Sequence, residues 1–244
     1  MARRGPDSTH NLLLDALLDD ERESLLEGSG TDQIEVERVY LDPGDAIGTV
    51  MFPTSGTLSI IAEPDEHHSV EAATVGREGV ANVHSALGSR VAGQKLIGQV
   101  AGEAIVVEVD AFAKALGDPG RLQGLINGYI EALFAQAAFS AACNVSHPVN
   151  QRCARWLLQT HDRGDEDTFS LKQDVLAIML GVQRPTVTIA ARTLQAAGLI
   201  SYRRGVITVV DREGLEQAAC ACYEQVRLEY SRLVPLASDG PGLN

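Results

Sequence analysis

The sequence predicts an α+β protein with an N-terminal jelly-roll-like β-roll, a long helix and a C-terminal winged helix-turn-helix. Three patterns support this fold class. Short alternating apolar segments separated by turns fill residues 33–110, which is typical of a small β-roll. Apolar residues at helical spacing then continue from 118 to 147. Two further helical stripes and a hairpin pattern occupy residues 169–211.

The helix-turn-helix is the stretch around which the chain is organised. Gly181 stands at the turn, where a left-handed residue is needed, and Ala177 is small where the two helices must cross. Pro185 fits the first turn of the second helix because no N–H is required there, and Gly198 is placed to end that helix. The apolar positions of the two helices are Val175, Leu176, Met179, Leu180, Val187, Ala190, Ala191 and Leu194.

The hairpin and its charge indicate a nucleic-acid partner. After Gly198 the apolar period changes from 3.6 to 2, which predicts a two-stranded hairpin with Arg203 and Arg204 at its tip. The chain has a net charge of −13, and residues 1–120 alone carry 8 basic and 21 acidic residues. Residues 183–205 contain four arginines and no acid. This local patch is suited to a phosphate backbone, although the rest of the protein would repel one.

The N-terminal part is predicted to hold short helices followed by the β-roll. Residues 11–27 are amphipathic and rich in leucine. In the roll, Asp42-Pro43-Gly44-Asp45 is a turn in which proline sets φ and glycine accepts a positive φ. The predicted strands lie at about 34–41, 50–52, 57–62, 69–75, 95–100 and 104–109.

The long helix is almost free of charge. Between Arg121 and Val149 the only charged residues are Arg121 and Glu131, so the helix must be covered on most sides. A symmetric pair across a two-fold axis is the simplest cover, and a central helix within one chain is the alternative. The predicted dimerisation residues are Leu122, Ile126, Tyr129, Leu133 and Ala137.

Composition and cysteine usage limit which other classes of protein the chain could belong to. No apolar run approaches the ~20 residues of a membrane span, and the N-terminus shows no secretion signal, so a cytoplasmic protein without a membrane partner is expected. The four cysteines fit buried thiols. Cys220-Ala-Cys222 has no second pair in the sequence, so neither a metal site nor another cofactor is predicted. The chain is expected not to be an enzyme.

The order of these parts resembles the Crp–Fnr family of bacterial transcription regulators. The resemblance covers about residues 12–230 and implies a homodimer that binds a pseudo-palindromic site in double-stranded DNA, with half-sites about one helical turn (~34 Å) apart, and that contacts RNA polymerase. It divides the chain into a sensor β-roll (1–117), a dimerisation helix (118–147) and a DNA-binding domain (148–230). The composition of residues 231–244 predicts a disordered tail. The stretches that carry it are LDPGD (41–45), VGREG (75–79), QRCARWLLQTHDR (151–163), LGVQRPTVT (180–188) and AGLISYRRGVITVVD (197–211).

The resemblance also implies roles for individual residues. Arg184 matches the family arginine that reads guanine through O6 and N7. Pro185 replaces an acidic base-reading residue, and Ile189 stands where some members carry a second arginine, so the preferred site differs from that of the best-known members. The further expected DNA contacts, to phosphates or base edges, are Gln183, Thr186, Thr188, Arg192, Arg203 and Arg204.

The sensor part departs from the pattern of the nucleotide-binding members. Asn82 falls at the position of the ribose-binding glutamate, and Arg90 is followed by valine instead of a hydroxyl residue. A buried cyclic phosphate without its arginine would be an unpaired charge. We therefore expect a degenerate pocket, formed by Arg77, Glu78, Asn82 and Arg90, that does not bind cAMP or cGMP tightly and whose effector the sequence does not identify.

The absence of cysteine before Cys143 excludes the N-terminal iron–sulfur cluster of the oxygen-sensing members. Three other interpretations remain open. The first is haem binding through His67, His68 or His84. A jelly-roll metalloenzyme with His67, His68, Glu71 and His84 as ligands, and a winged-helix module that binds another protein, are the alternatives from other functional classes.

Overall fold

The computed structural model describes residues 8–65, 68–118, 120–164 and 166–234. Of the predicted disordered tail (231–244), residues 231–233 are wrong because they are helical, and the part beyond Val234 lies outside the described residues. The candidate ligand His67 also lies outside them. The chain begins with two short helices, α1 (Leu12–Asp15) and α2 (Asp19–Leu26). Asn11 caps α1, because its side chain accepts hydrogen bonds from the backbone N–H groups of Leu13 and Leu14.

Two antiparallel sheets form the β-roll, as predicted. One sheet has the strand order β1-β7-β3 and the other β2-β6-β4-β5. Apolar side chains of both sheets, among them Met51, Leu58 and Leu96, form a shared interior. Phe52 belongs to a separate cluster with the helices, where it packs edge to face on Phe112 with ring centroids 6.1 Å apart. The strands are β1 (Gly30–Ile34), β2 (Val39–Leu41), β3 (Thr49–Pro53), β4 (Thr57–Asp65), β5 (His68–Val75), β6 (Lys95–Val100) and β7 (Gly102–Glu108).

Helix α3 (Val109–Gly117) leads from the roll to the long helix α4 (Leu122–Ser146). Gln136 on α4 ties it to β5, since its amide accepts from Thr74 N at 3.1 Å and donates to Thr74 Oγ1 at 3.2 Å. Other α4 side chains join the core of the same chain. The predicted dimerisation set is therefore wrong at three positions, because the roll and a later helix of this chain bury Leu122, Ile126 and Tyr129.

The C-terminal domain is built on α5 (Val149–Arg163), whose Trp156 is 1% exposed. The predicted two-stranded hairpin is a three-stranded sheet of order β8-β10-β9, because Thr168–Ser170 adds β8 to its edge. The remaining elements are β8 (Thr168–Ser170), α6 (Gln173–Leu180), α7 (Arg184–Ala196), β9 (Ile200–Arg203), β10 (Val206–Val209) and α8 (Arg212–Ala218).

Two helices follow the hairpin of the C-terminal domain. After α8 the chain breaks at residues 219–221 and resumes as α9 (Cys222–Leu233). Helix α9 turns back onto α4, and its Val226 and Tyr230 enter the core of the N-terminal half. Tyr129 and Tyr230 meet edge to face at 6.3 Å between ring centroids.

Candidate nucleic-acid interface

The helix-turn-helix geometry follows from a few residues that the sequence analysis singled out. Gly181 ends α6 with φ +58°, so the left-handed turn residue is confirmed. Val182 N donates to Ala177 O at 3.0 Å, which closes the turn beside the small residue. Pro185 lies in the first turn of α7, whose N-cap residue is Gln183. All eight predicted apolar stripe positions are buried, and they fix the two helices against α5 and the sheet.

Helix α7 presents one face to solvent, and most of the predicted DNA contacts lie on it. Arg184 is 63% exposed in its side chain and Ile189 is 66% exposed. Thr188 is half-buried, and its single hydroxyl hydrogen has two acceptors in reach, Gln173 Oε1 at 3.0 Å and Arg184 O at 3.1 Å. The remaining predicted positions are exposed at Gln183, Pro185 and Arg192 and half-buried at Thr186.

The hairpin tip stands beside the start of α7. Arg204 and Gly205 have φ +51° and +78°, which is the type I′ turn that joins twisted strands with two residues. A groove of about 470 Å³ separates the tip from α7, and three cationic side chains line it: Lys172, Arg184 and Arg204. Among the described residues, Arg192, Arg203 and Arg204 form no ion pair, so these cations remain available for phosphate groups.

Sequence reasoning missed one acidic residue at this surface. Asp174, in the first turn of α6, lies 3.5 Å from Arg184 Nε through its Oδ1. Both side chains are 63% exposed, so the pair is weak and water competes for it. Arg184 must exchange this carboxylate for a base or phosphate to contact DNA. Only the tertiary fold brings α6 and α7 together closely enough to show the competition.

The comparisons with known proteins can now be set beside this geometry. Residues 151–218 match the family model of the Crp-like helix-turn-helix domain. The C-terminal part is a Crp-like helix-turn-helix domain, and the chain has the Crp/Fnr fold. A comparison with functionally curated proteins gave no significant match.

Solved structures share the fold along most of the chain. A transcriptional regulator described as a putative Crp/Fnr member, from Eubacterium rectale, is 16% identical, with a TM-score of 0.63, 86% of this chain and 99% of that chain covered. FixK2 of Bradyrhizobium japonicum is 14% identical, with a TM-score of 0.68 and coverages of 79% and 98%. The c-di-GMP-responsive global regulator CLP of Xanthomonas campestris is 20% identical, with a TM-score of 0.61 and coverages of 78% and 98%. The predicted fold class and the resemblance to Crp–Fnr transcription regulators are confirmed.

Within this Crp/Fnr fold, two of the residues predicted for the effector pocket, Arg77 and Glu78, contact the end of α5. Glu78 is 2% exposed, and its Oε1 accepts from Arg163 Nε at 2.8 Å, while Arg77 donates to Asp162 O at 3.3 Å. The prediction for Arg77 and Glu78 is therefore wrong, because they join the roll to the end of α5 in the C-terminal domain. A Cβ at Gly79 would lie 2.3 Å from the Tyr129 ring, so that close approach to α4 requires glycine.

The other two predicted pocket residues do not share a site. Asn82 has φ +63° and donates to Thr49 O at 3.0 Å, and it lines a cavity of about 30 Å³ together with His84 and Leu133 of α4. Arg90 lies on the surface and pairs with Asp110 at 2.9 Å. A cavity of this size holds at most a few water molecules, so it has no room for a nucleotide.

The roll and the helix-turn-helix domain of the Crp/Fnr fold also meet around Glu71 of β5. Its carboxylate accepts from Trp156 Nε1 at 2.9 Å, Ser59 Oγ at 2.7 Å and Gln99 Nε2 at 2.7 Å. Met179 of α6 touches the same Gln99, with its sulfur 3.0 Å from Nε2. Burial raises the pKa of Glu71 to about 7, and the hydrogen bonds from Ser59 and Trp156 limit the rise.

The raised pKa of Glu71 predicts a loss of stability as pH rises. The folded protein holds the proton more tightly than the unfolded chain, whose carboxyl titrates near pH ~4.3. The contribution is therefore complete below pH ~4 and disappears as pH approaches about 7. Between pH 5 and 8, we expect the free energy of unfolding of the wild type to fall by about 2 kcal/mol relative to Glu71→Gln. Urea unfolding at several pH values measures the difference.

The matched control for Glu71 is Glu63→Gln. Glu63 lies near the end of β4 with its side chain 28% exposed, and it accepts a hydrogen bond from Lys95 at 2.9 Å, which lowers its pKa. Glu63 is therefore ionised throughout the range from pH 5 to 8. The free energies of unfolding of Glu63→Gln and the wild type should change in parallel over this range. Parallel curves for the wild type and Glu71→Gln would contradict the role assigned to Glu71.

The metal site of the alternative interpretation is not assembled among the described residues. His68 is exposed and bonds Asp65 at 2.7 Å, Glu71 faces Trp156, and His84 lies by the small cavity. His67 lies outside the described ranges. Elsewhere the fold brings together four side chains of metal-ligating types that the sequence analysis did not connect: Cys143, His147, Cys220 and Cys222.

Within the described residues, no single helix is long and apolar enough to cross a membrane. Helices α6 and α7 pass the length and composition test only as a pair, and they bend by 99° at the turn that the helix-turn-helix requires.

Proposed function

We propose that the chain is a homodimeric transcription regulator that binds a pseudo-palindromic site in double-stranded DNA and is not regulated by cAMP. The supporting observation is the groove where Arg184 at the start of α7 faces Arg204 at the hairpin tip. A helix N-terminus enters the major groove in this class of domain, and a cationic hairpin beside it meets the adjacent backbone. Contact with RNA polymerase and a cytoplasmic location belong to the same proposal.

A second copy of the chain is the proposed partner of α4. The exposed side chains of α4 recur at intervals of three and four residues, which is the seam of a two-stranded coiled coil. Phe134 is 74% exposed and Val145 is 90% exposed on this seam. Phe134 and Ala138 each lie one position after a residue of the predicted dimerisation set, Leu133 and Ala137, and these two are only partly buried. The dimer seam, as we define it, is Asn127, Glu131, Phe134, Ala138, Ala141 and Val145.

Replacing Phe134 with glutamate is expected to convert the dimer into a monomer. The change places two like charges opposite each other at the centre of the dimer seam and removes the largest apolar side chain on it. Sedimentation velocity at micromolar concentration measures the change of mass.

The control for Phe134 is Ile189→Glu on α7. Ile189 has a similar exposure, 66%, and lies on the proposed DNA surface. This variant should remain a dimer and lose DNA binding, which is the opposite of the result expected at the seam. A Phe134→Glu protein that sediments as a dimer would rule out the proposed seam.

Selection of bound duplexes from a random pool tests DNA binding without knowledge of the target. We expect recovery of two inverted half-sites about one helical turn (~34 Å) apart, with an affinity that falls steeply as salt rises. Failure to enrich any sequence, together with capture of a protein partner through α7, would favour the protein-binding module instead.

The cavity beside Asn82 supports the absence of cAMP control, since its volume is about 30 Å³. Isothermal calorimetry with cAMP should give no heat of binding, and an affinity in the micromolar range would overturn this part of the proposal.

The domain division proposed from the sequence is retained with two changes. The tail begins after Val234 and not at residue 231, because α9 extends to Leu233. Helix α9 also belongs with α4 and the roll and not only with the DNA-binding domain. Its Val226 and Tyr230 enter the core that α4 forms with the roll.

A further inference from the structure

Four metal-ligating side chains meet where the end of α4 touches the break between α8 and α9. Cys143 and His147 stand one turn apart on α4 and its cap, while Cys220 lies in the break and Cys222 is the first residue of α9. Cys143 Sγ lies 3.4 Å from Cys220 Sγ, and Cys222 Sγ lies 3.6 Å from His147 Nδ1. All four ligand atoms lie within 4.8 Å of one another.

These distances fit a tetrahedral zinc site. With Zn–S bonds of ~2.3 Å and a Zn–N bond of ~2.0 Å, the ligand atoms of a tetrahedron are about 3.5–3.8 Å apart. Small rotations of side chains bring atoms spread over 3.4–4.8 Å to these separations. The three sulfurs are buried and His147 is half-buried, so one side remains open for the ion to enter.

The charges around the cluster supply an independent observation. Arg152 and Arg155 are buried, and neither makes an ion pair with a carboxylate among the described residues. The Nε atom of each is buried without a hydrogen-bond partner. The acceptors that they do have, Asn144 Oδ1 and Leu180 O for Arg152 and Gln159 Oε1 for Arg155, are neutral, and the charge of Arg155 also acts on Glu71. Two buried cations without an ion pair favour an anionic centre beside them.

We propose that Cys143, His147, Cys220 and Cys222 bind one Zn²⁺ per chain and fasten the start of α9 to the end of α4. Each thiol gives its proton to solvent as its sulfur bonds to the metal, and no oxidation is involved. Three thiolates, a neutral imidazole and Zn²⁺ carry a net charge of −1, which Arg152 and Arg155 offset. Because Pro148 and α5 follow directly, the ion would hold the junction through which the C-terminal domain joins α4.

Cobalt substitution tests the proposal with the full chain, reduced and stripped of metal. We expect one equivalent of Co²⁺ to give thiolate charge-transfer bands and the intense visible absorption of a tetrahedral site, and Zn²⁺ to displace it. Competition with a chromophoric chelator should give a Zn²⁺ dissociation constant on the order of 10⁻⁹ M or tighter. Zinc should also raise the thermal midpoint of the wild type, which requires no variant.

Variants separate this site from non-specific thiol binding. Cys220→Ser and Cys222→Ser should each weaken zinc binding by about 100-fold or more, because each removes one ligand. Cys153→Ala is the control, since Cys153 is a buried cysteine of α5 outside the cluster, and it should bind normally. Circular dichroism confirms that each variant is folded.

Two results would overturn the proposal. One is a folded, reduced wild type that gives no tetrahedral cobalt spectrum or binds no stoichiometric Zn²⁺. The other is a protein that takes up no metal when reduced and forms a Cys143–Cys220 disulfide on mild oxidation, seen as the loss of two hydrogens in mass. Neither result depends on DNA binding, so the zinc site and the proposed function can fail separately.

Discussion

Arg184→Ala is expected to weaken binding to the selected DNA site by about 1–3 kcal/mol for each half-site, or about 5- to 150-fold. Arg184 is the exposed guanidinium at the start of α7, and its fork can meet guanine O6 and N7 together. Alanine keeps the helix and removes both hydrogen bonds. Fluorescence anisotropy with the wild-type site, and with sites changed at the guanine, measures the affinity and the loss of base preference.

The matched control for Arg184 is Arg22→Ala. Arg22 lies on α2, far along the chain from the DNA-binding domain, and pairs with the exposed Asp19 at 2.7 Å. Removing Arg22 changes the net charge by the same amount as removing Arg184. The control variant therefore measures how much DNA affinity is lost with one positive charge alone. Equal losses in the two variants would show that Arg184 contributes charge only and does not read a base. Asp174→Asn should act in the opposite direction, because it releases Arg184 from its carboxylate.

Glu78→Ala is expected to lower the free energy of unfolding by about 3–5 kcal/mol. The side chains of Glu78 and Arg163 are 3% and 7% exposed, and Arg163 Nη2 lies 2.8 Å from Glu78 Oε1. Removing the carboxylate leaves a guanidinium buried without its counter-charge, and Gly76 N loses the acceptor that it finds at 3.2 Å. Urea unfolding followed by circular dichroism gives the value.

Two variants show whether burial causes this loss. Glu35→Ala removes an exposed pair with Arg38, at 3.1 Å, and should cost less than about 1 kcal/mol. The double variant Glu78→Leu/Arg163→Met should recover much of the lost stability, because it leaves no buried charge. A single Glu78→Ala variant that unfolds at the wild-type urea concentration would contradict the assignment.

The helix-turn-helix could be predicted from sequence because its constraints are local. Gly181 has the positive φ that the turn needs, and the spacing of the apolar residues determines which faces of α6 and α7 are buried. The limits of β6 (Lys95–Val100) also agree with the prediction, since an alternating strand is bounded by turns. In both cases, neighbours in sequence decide the conformation.

The dimer seam and the metal cluster depend on contacts between distant residues. Helix α4 is apolar on nearly every side, so its periodicity does not distinguish the face that meets α9 from the face left exposed at Phe134. Cys143 and Cys220 are 77 residues apart, and the paired spacing that usually indicates zinc is absent from the sequence. The family resemblance placed Glu78 in an effector pocket. The sequence does not show its true partner, since Arg163 is 85 residues away along the chain.

The return of α9 onto α4 has a consequence for synthesis on the ribosome. Val226, Tyr230 and Val234 complete a core that begins with Leu13 and Leu14. The ribosome must therefore release nearly the entire polypeptide before the first half can close its interior. Products of premature termination before Cys222 would leave α4 uncovered on a second side, and quality-control proteases should remove them quickly.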